Sequence, residues 1–391
     1  MERVVFDLLL ICLVALAAGL IAQRLHLPML VGYVVAGILI GPYTGGPTVT
    51  AFARIEGVAE VGLAFQLFAL GVDLSLKTLR PVQRIAWLGT PLQMGLAIGY
   101  GMGVMFLFQW PWPALTWFGA LLAFSSLTAT FQSVEPARLA HTTVGRVILG
   151  FLTVQHLLAI PLVLVLSATS PGAGTGENPG WALVKGGVLL ALLLFLGLRV
   201  LPHVTRLPVI QTPEMYLLTV LVAVALAGVL AAGFGLPFVF AAFAIGLCVS
   251  ESDFIQRPVR QLLLWRDFFG VLFFVSVGML LDLSALLAYA GEILAVVVLV
   301  LLGKGLLLML LVRAFGYPPH QAWTVGLVLC QVGELSLFLG YLGRRGGALQ
   351  ETQYSFVVAT ILLTILVTAI VLKLGNARLL RVLTGDQAPV G

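Results

Sequence analysis

The sequence predicts an all-α polytopic membrane protein with thirteen transmembrane helices, arranged as two inverted six-helix repeats joined by a linker helix. Three observations predict this. Of the 391 residues, 60% are hydrophobic and 9% charged, where soluble domains carry about 25% charged residues, and the mean hydropathy is +1.10. Long apolar runs recur from end to end, without the short alternation of an outer-membrane barrel. The two halves of the chain also resemble each other at a shared offset.

The segments lie at roughly 6–23, 29–42, 57–76, 85–108, 114–134, 143–168, 183–201, 214–233, 236–251, 262–281, 290–313, 320–343 and 353–373. The first has a charged start, but its apolar stretch is long and ends at Gln23-Arg24 without a small-residue cleavage site. It reads as a span, not a leader. The second and ninth are short and glycine-rich, and the fifth and twelfth hold polar residues at mid-depth. With the N-terminus outside and loops assigned alternately, the outer side receives only Arg3, Arg54, Lys185, Arg344 and Arg345. Lys304 falls inside the bilayer, and the rest of the 21 basic residues face inward. That asymmetry places the C-terminus in the cytoplasm. The net charge of +5 then reflects topology and does not point to nucleic acid.

LPMLVGYVVAGI begins at Leu27 and LPFVFAAFAIGL at Leu236, 209 residues on; Phe65 and Phe274 share that offset, as do Asp73-Leu74-Ser75 and Asp282-Leu283-Ser284. GALLAFSSLTATF (119–131) resembles GLVLCQVGELSLF (326–338), with Gly, Leu and Phe matching at offset 207. Spans 1–6 pair with spans 8–13, and an odd linker (183–201) between them inverts the second half. Inverted halves with polar, interrupted helices in matching places point to a secondary transporter with its site at mid-membrane.

An ionisable residue at mid-membrane costs at least ~2.5–3.5 kcal/mol on insertion scales. Most carboxylates fall at span ends; His156, Lys304 and Glu334 stay deep. Around them stand Gln155 in span 6, Ser125, Ser126 and Thr128 in span 5, and Gln331 in span 12. Hydroxyls and carbonyls of an unwound helix can replace a cation's hydration shell where the loosened backbone lines a cavity. The expected ion or proton site is therefore His156, Gln155, Ser125, Ser126, Thr128, Lys304, Gln331 and Glu334. Asp73 and Asp282 read as caps or interfacial residues, and Arg266 as a topology anchor. Cys12, Cys248 and Cys330 have no metal spacing. The five histidines form no His-x-x-x-His pair, and there is no Gly-x-Ser-x-Gly elbow. Neither a resident metal, a cofactor nor an enzyme is expected.

GYVVAGILIGP (32–42), EVGLAFQLFALGVDLSL (60–76), FFVSVGMLLDLS (273–284) and QVGELSLFLG (331–340), with FSSLTATFQ, Gly145-Arg146 and VQHLLAIPLV between them, resemble the Kef-type branch of the monovalent cation:proton antiporters over essentially the whole chain. The resemblance implies a thirteen-span homodimer in a bacterial inner membrane. It implies a dimerisation scaffold of spans 1–3 and 8–10 (1–84 and 214–289). The mobile core would be spans 4–6 and 11–13 (85–168 and 290–374), with broken spans 5 and 12 crossing. The core would slide as an elevator, exchanging K⁺ or Na⁺ for protons. Kef systems continue into a cytosolic nucleotide-binding domain. Here 375–391 reads as a short tail without a regulatory domain, and such control would come from a separate cytosolic subunit.

The departures fall at the site itself. Where the family carries an aspartate after the span-6 glutamine, this chain has His156; where it carries Ser-Ser-Thr-Ala, this chain reads Ser125-Ser126-Leu127-Thr128. A neutral imidazole offers a hard cation one nitrogen lone pair, and an imidazolium repels it. Histidine still changes charge in the physiological range, so proton handling survives where cation binding through this residue does not. Lys304 loses the family's aspartate partner, and Glu334 is expected to supply the site's negative charge. Two other functions fit the same residues: a transport-silent or regulatory relative, and a carrier of an anionic or uncharged solute.

Overall fold

Leucine, alanine and valine dominate the chain, and in a bilayer each backbone amide and carbonyl must find a partner within its own segment. Helix is accordingly the regular structure among the described residues. The computed structural model describes residues 2–44, 49, 52–73, 76–127, 129–130, 142–171, 178–200, 203–204, 207, 212–234, 236, 238–250 and 259–374.

The first half contains α1 (Glu2–Arg24), α2 (Met29–Ile40), α3 (Phe52–Asp73), α4 (Thr90–Leu107), α5 (Trp112–Leu122) and α6 (Thr143–Thr169). A 3₁₀ turn (Leu76–Val82) and a π turn (Ile85–Gly89) lead into α4. Then come α7 (Pro179–Phe195), α8 (Pro213–Gly233), α9 (Phe238–Ser250) and α10 (Val259–Met279). The chain continues through a short α11 (Leu283–Ala288), α12 (Ala290–Ala314), α13 (Pro319–Leu329), α14 (Glu334–Arg345) and α15 (Glu351–Leu374). Thr142, Asn178 and Thr212 cap α6, α7 and α8 with side-chain oxygens that accept from Gly145, Gly180 and Met215 amides. Each cap satisfies a donor that the first turn leaves open.

Every predicted segment carries helix, but length and apolarity admit five crossings among the described residues: Val5–Arg24, Ile85–Leu107, Thr143–Thr169, Ala290–Ala314 and Glu351–Lys373. The pair Pro319–Leu329 and Glu334–Arg345, bent by 44°, makes a sixth if it is one span. The shorter helices explain the difference. The 12 residues of α2 reach about 18 Å against a hydrocarbon core of about 30 Å. Large apolar side chains point outward from many helices, Leu107 at 75% exposed and Val229 at 70%. Such a surface suits contact with lipid.

Inside lipid, helices associate through close backbone packing. α2 crosses α10 where a Cβ on Gly37 would lie 2.0 Å from the Val275 carbonyl and one on Gly278 2.1 Å from that of Val34. α3 crosses α9 likewise, through Gly71 and Gly246. Around these crossings α1, α2, α3, α8, α9 and α10 pack on one another. A second set forms around α12, which packs on α4, α13 and α15, with α5 on α4 and α14 on α15.

Candidate functional site

Span 5 breaks after α5: Phe124, Ser125 and Ser126 leave the helix, which resumes at Leu127. Span 12 breaks between α13 and α14, over 330–333. The two interruptions cross. The Gly333 amide donates to the Phe124 carbonyl at 3.1 Å. A Cβ on Gly333 would meet the Ser125 carbonyl carbon and oxygen at 2.6 Å, so only glycine lets the strands approach.

A broken helix leaves carbonyls without intrahelical donors and concentrates negative dipole at its C-terminal end. Here α5 and α13 both end at the crossing. Lys304, fully buried on α12, donates from Nζ to the Phe124 carbonyl at 2.6 Å and the Gln331 carbonyl at 2.9 Å. Ser125 Oγ serves the Leu329 carbonyl at 2.8 Å, and Ser336 Oγ that of Leu121 at 2.7 Å. Thr364 accepts from the Val332 amide at 3.2 Å, and Ser126 Oγ from the Ala129 amide at 3.0 Å. Gln331 Nε2 reaches Thr130 at 3.4 Å. Its Oε1 is buried with no partner among the described residues. Loosened backbone is thus held by side chains, as a water-poor site demands.

Lys304 answers the Phe124 and Gln331 carbonyls and does not make the expected ion pair with Glu334 among the described residues. Two half-helix C-termini already face the ammonium, so carbonyls serve it in place of the carboxylate. Glu334 instead opens α14 and lines a cavity of about 110 Å³ with His156, Leu127, Gln66 and Arg266. His156 Nδ1 lies 2.6 Å from the Leu152 carbonyl. A carbonyl only accepts, so Nδ1 carries the hydrogen and Nε2 is the basic nitrogen. His156 and Glu334 stand close enough for their charges to interact.

Gln155, beside His156 and fully buried, accepts from the Ser125 amide at 3.0 Å and donates to Gln93 Oε1 at 2.8 Å. Gln93 Nε2 donates on to the Ala123 carbonyl at 3.3 Å. The structure therefore gathers Ser125, Ser126, Gln155, Lys304 and Gln331 at the crossing and places His156 and Glu334 on the adjoining cavity. Thr128 lies outside the described residues, as does the Asp73 side chain. Gln66, Gln93 and Arg266 join these groups only in the structure. Gln66 and Gln93 were legible as amides inside apolar runs, AFQLF and PLQMG, but a search for charge passes over them. Arg266 reads as an anchor until α10 is placed against α3. Asp282 does cap: its Oδ1 accepts from the Ser284 and Ala285 amides at 2.9 and 3.3 Å.

Crossed broken helices, a buried lysine between their ends and a cavity beside the crossing fit an integral membrane protein built like a secondary transporter. The chain belongs to the sodium/hydrogen exchanger transmembrane family, whose model matches residues 9–374. It is similar to YbaL of Escherichia coli (strain K12), 30% identical over 371 residues covering 92% of this chain. It is also similar to K(+) efflux antiporter 5 of Arabidopsis thaliana, 28% identical over 382 residues covering 95% of it. The chain spans 66% of the length of each of these relatives. Among solved structures, the sodium proton antiporter MjNhaP1 from Methanocaldococcus jannaschii matches 99% of both chains with a TM-score of 0.79 at 18% identity, a likeness of fold.

Proposed function

We propose that this chain exchanges a monovalent cation, K⁺ or Na⁺, for protons across a bacterial inner membrane, with His156 as the proton site and Glu334 as the cation's carboxylate. The observation that carries this reading is that His156 and Glu334 line one cavity beside the helix crossing. With the imidazole neutral, Glu334 offers its charge to a dehydrated cation, helped by the Gln66 amide. A proton on Nε2 creates an imidazolium that neutralises Glu334 and displaces the cation. The names of the relatives, a K(+) efflux antiporter and a sodium proton antiporter, favour the two ions about equally.

The inverted repeat finds support in contacts that recur 207 residues apart. Lys304 takes the carbonyls of Phe124 and Gln331. Ser126 meets Gly333 across the crossing. Gly119 abuts the Ile98 carbonyl and Met102, as Gly326 abuts the Gly305 carbonyl and Met309. The two packing groups support a scaffold of spans 1–3 and 8–10 and a core of spans 4–6 and 11–13. We take the cavity between them as the path along which an elevator core carries its ion. A homodimer, an outside N-terminus and a cytoplasmic C-terminus complete the reading.

A second reading, a transport-silent relative, is favoured by Leu127, which puts an apolar wall on the cavity where the family offers a hydroxyl. Proton flux in proteoliposomes given pulses of Na⁺, K⁺ and Li⁺ from pH 5 to 9 decides between them. Exchange that titrates in the histidine range, near ~6.5, and moves to the carboxylate range in His156→Asp supports antiport through this site. A silent chain that His156→Asp awakens supports the second reading.

A further inference from the structure

Two helices lead out of the cavity in the same direction. Arg266 of α10 and Glu334 of α14 both line it, and Gln66 Nε2 ties α3 to this end of α10 by donating to the Arg266 carbonyl at 3.3 Å. Seven residues further along each helix, Phe273 and Tyr341 meet edge to face with ring centroids 6.3 Å apart. Both rings are buried, and Phe273 also lines the cavity. The pair therefore forms an apolar roof about 10 Å from Arg266 along α10.

Beyond that roof lies a polar cluster. Tyr43, just after α2, donates from its hydroxyl to Glu351 Oε2 at 3.3 Å. Arg344, in the last turn of α14, donates from Nη2 to Glu351 Oε1 at 3.3 Å. Its guanidinium also stands 5.8 Å from the Tyr354 ring centre, within cation–π reach. Burial, and then Glu351, hold the Tyr43 hydroxyl above its ordinary value, so it stays a donor at physiological pH. One turn along α15 from Glu351, the buried Ser355 Oγ accepts from the Asp282 amide at 3.1 Å. Tyr43 follows α2 and Asp282 follows α10, in the first packing group; Arg344, Glu351 and Ser355 stand on α14 and α15, in the second. The cluster thus joins the two groups. Near its other end α15 touches α1 through Lys373, whose Nζ donates to the Leu25 carbonyl at 3.2 Å.

Building on the proposed exchange by a core that moves against a scaffold, we infer that Tyr43, Glu351 and Arg344 form a catch over the Phe273–Tyr341 roof. The catch closes the ion path at the end remote from Arg266, and its opening sets the pace of exchange. A phenol from one group and a guanidinium from the other grip the two oxygens of one carboxylate, so the core cannot shift without breaking the grip. Tyr43 and Glu351 are exposed, and exposed pairs are individually weak. Such a catch opens and recloses within a cycle. None of the three residues lines the cavity, so the catch acts on rate and not on ion affinity.

The test uses the full chain, purified and reconstituted in proteoliposomes, with dye-reported proton flux on pulses of Na⁺, K⁺ and Li⁺. Tyr43→Phe keeps the ring and deletes the hydroxyl. It is expected to raise the maximal rate about two- to fivefold, the range an exposed pair supports, with the half-saturating ion concentration unchanged. In a Cys12→Ser background, Tyr43→Cys and Glu351→Cys are joined by a bifunctional methanethiosulfonate long enough to replace the two side chains. Exchange is expected to stop when they are joined and to return when reductant releases the bridge, while each single-cysteine variant treated alike keeps exchanging. A Tyr43→Phe protein at the natural rate, or a bridged protein that still exchanges, overturns the inference and leaves the antiport reading standing. A natural protein that exchanges none of the three ions overturns both.

Discussion

Gln155 donates from Nε2 to Gln93 Oε1 at 2.8 Å, and neither amide is exposed. The pair ties α6 to α4 and, through the Ser125 amide and the Ala123 carbonyl, holds the broken stretch of span 5 from both ends. Gln93→Leu strips a partner from Gln155 Nε2 and from the Ala123 carbonyl together. Leaving buried polar groups unsatisfied costs about 1–3 kcal/mol each, so the variant should unfold several degrees earlier in detergent. Its pH profile should broaden, since His156 adjoins the loosened residue. Gln93→Glu keeps an acceptor for Gln155 but buries an ionisable group, and should lose at least as much.

Lys304→Met should lower stability by about 1.5–3 kcal/mol, the range for a hydrogen-bonded charge, because the Phe124 and Gln331 carbonyls lose their donor. Since Lys304 does not pair with Glu334, a thermal-unfolding cycle with Glu334→Gln should be additive within about 0.5 kcal/mol. Strong coupling between the two would contradict the geometry.

Gly333→Ala tests the crossing itself. The added methyl has backbone, not a yielding side chain, at 2.6 Å, so the strands must part. Overpacking of this kind costs about 1–3 kcal/mol. Thermal unfolding should register that loss, and the Phe124–Gly333 hydrogen bond should open first in amide exchange.

Asp282 gives a pH-dependent signature at the start of α11. The Ser284 hydroxyl, and then the Ala285 and Ser284 amides, hold its carboxyl below the ordinary carboxylate range. A depressed folded-state value means that the cap's contribution is fully present above the unfolded carboxylate pKa and is lost as pH falls through the folded one. Amide exchange at Ser284 and Ala285, corrected for intrinsic rates, should stay protected at neutral pH and accelerate only below about pH 4. Asp282→Asn, which keeps one acceptor oxygen, should abolish that pH dependence.

Hydropathy and repetition made much of this protein legible. A charged or titratable side chain within a long apolar run has few ways to be tolerated, so His156, Lys304 and Glu334 stood out by depth alone. A shared offset between distant segments, with an odd helix between them, was the ground for expecting an inverted pairing. What letters could not express was which groups meet. Lys304 is satisfied by main-chain carbonyls, which every residue possesses and no sequence pattern marks, and a helix break supplies them only once two breaks cross. Gln93 and Gln66 are neutral, so depth singled them out weakly; their meaning came from partners 62 and 200 residues away. Arg266 looked like an anchor because its helix begins among basic residues, and only the packing of α10 on α3 turned it toward the cavity. Depth in the bilayer is a property of one segment and can be read along the chain. Who neutralises whom depends on distances of a few ångströms between segments, and those were decided by tertiary structure.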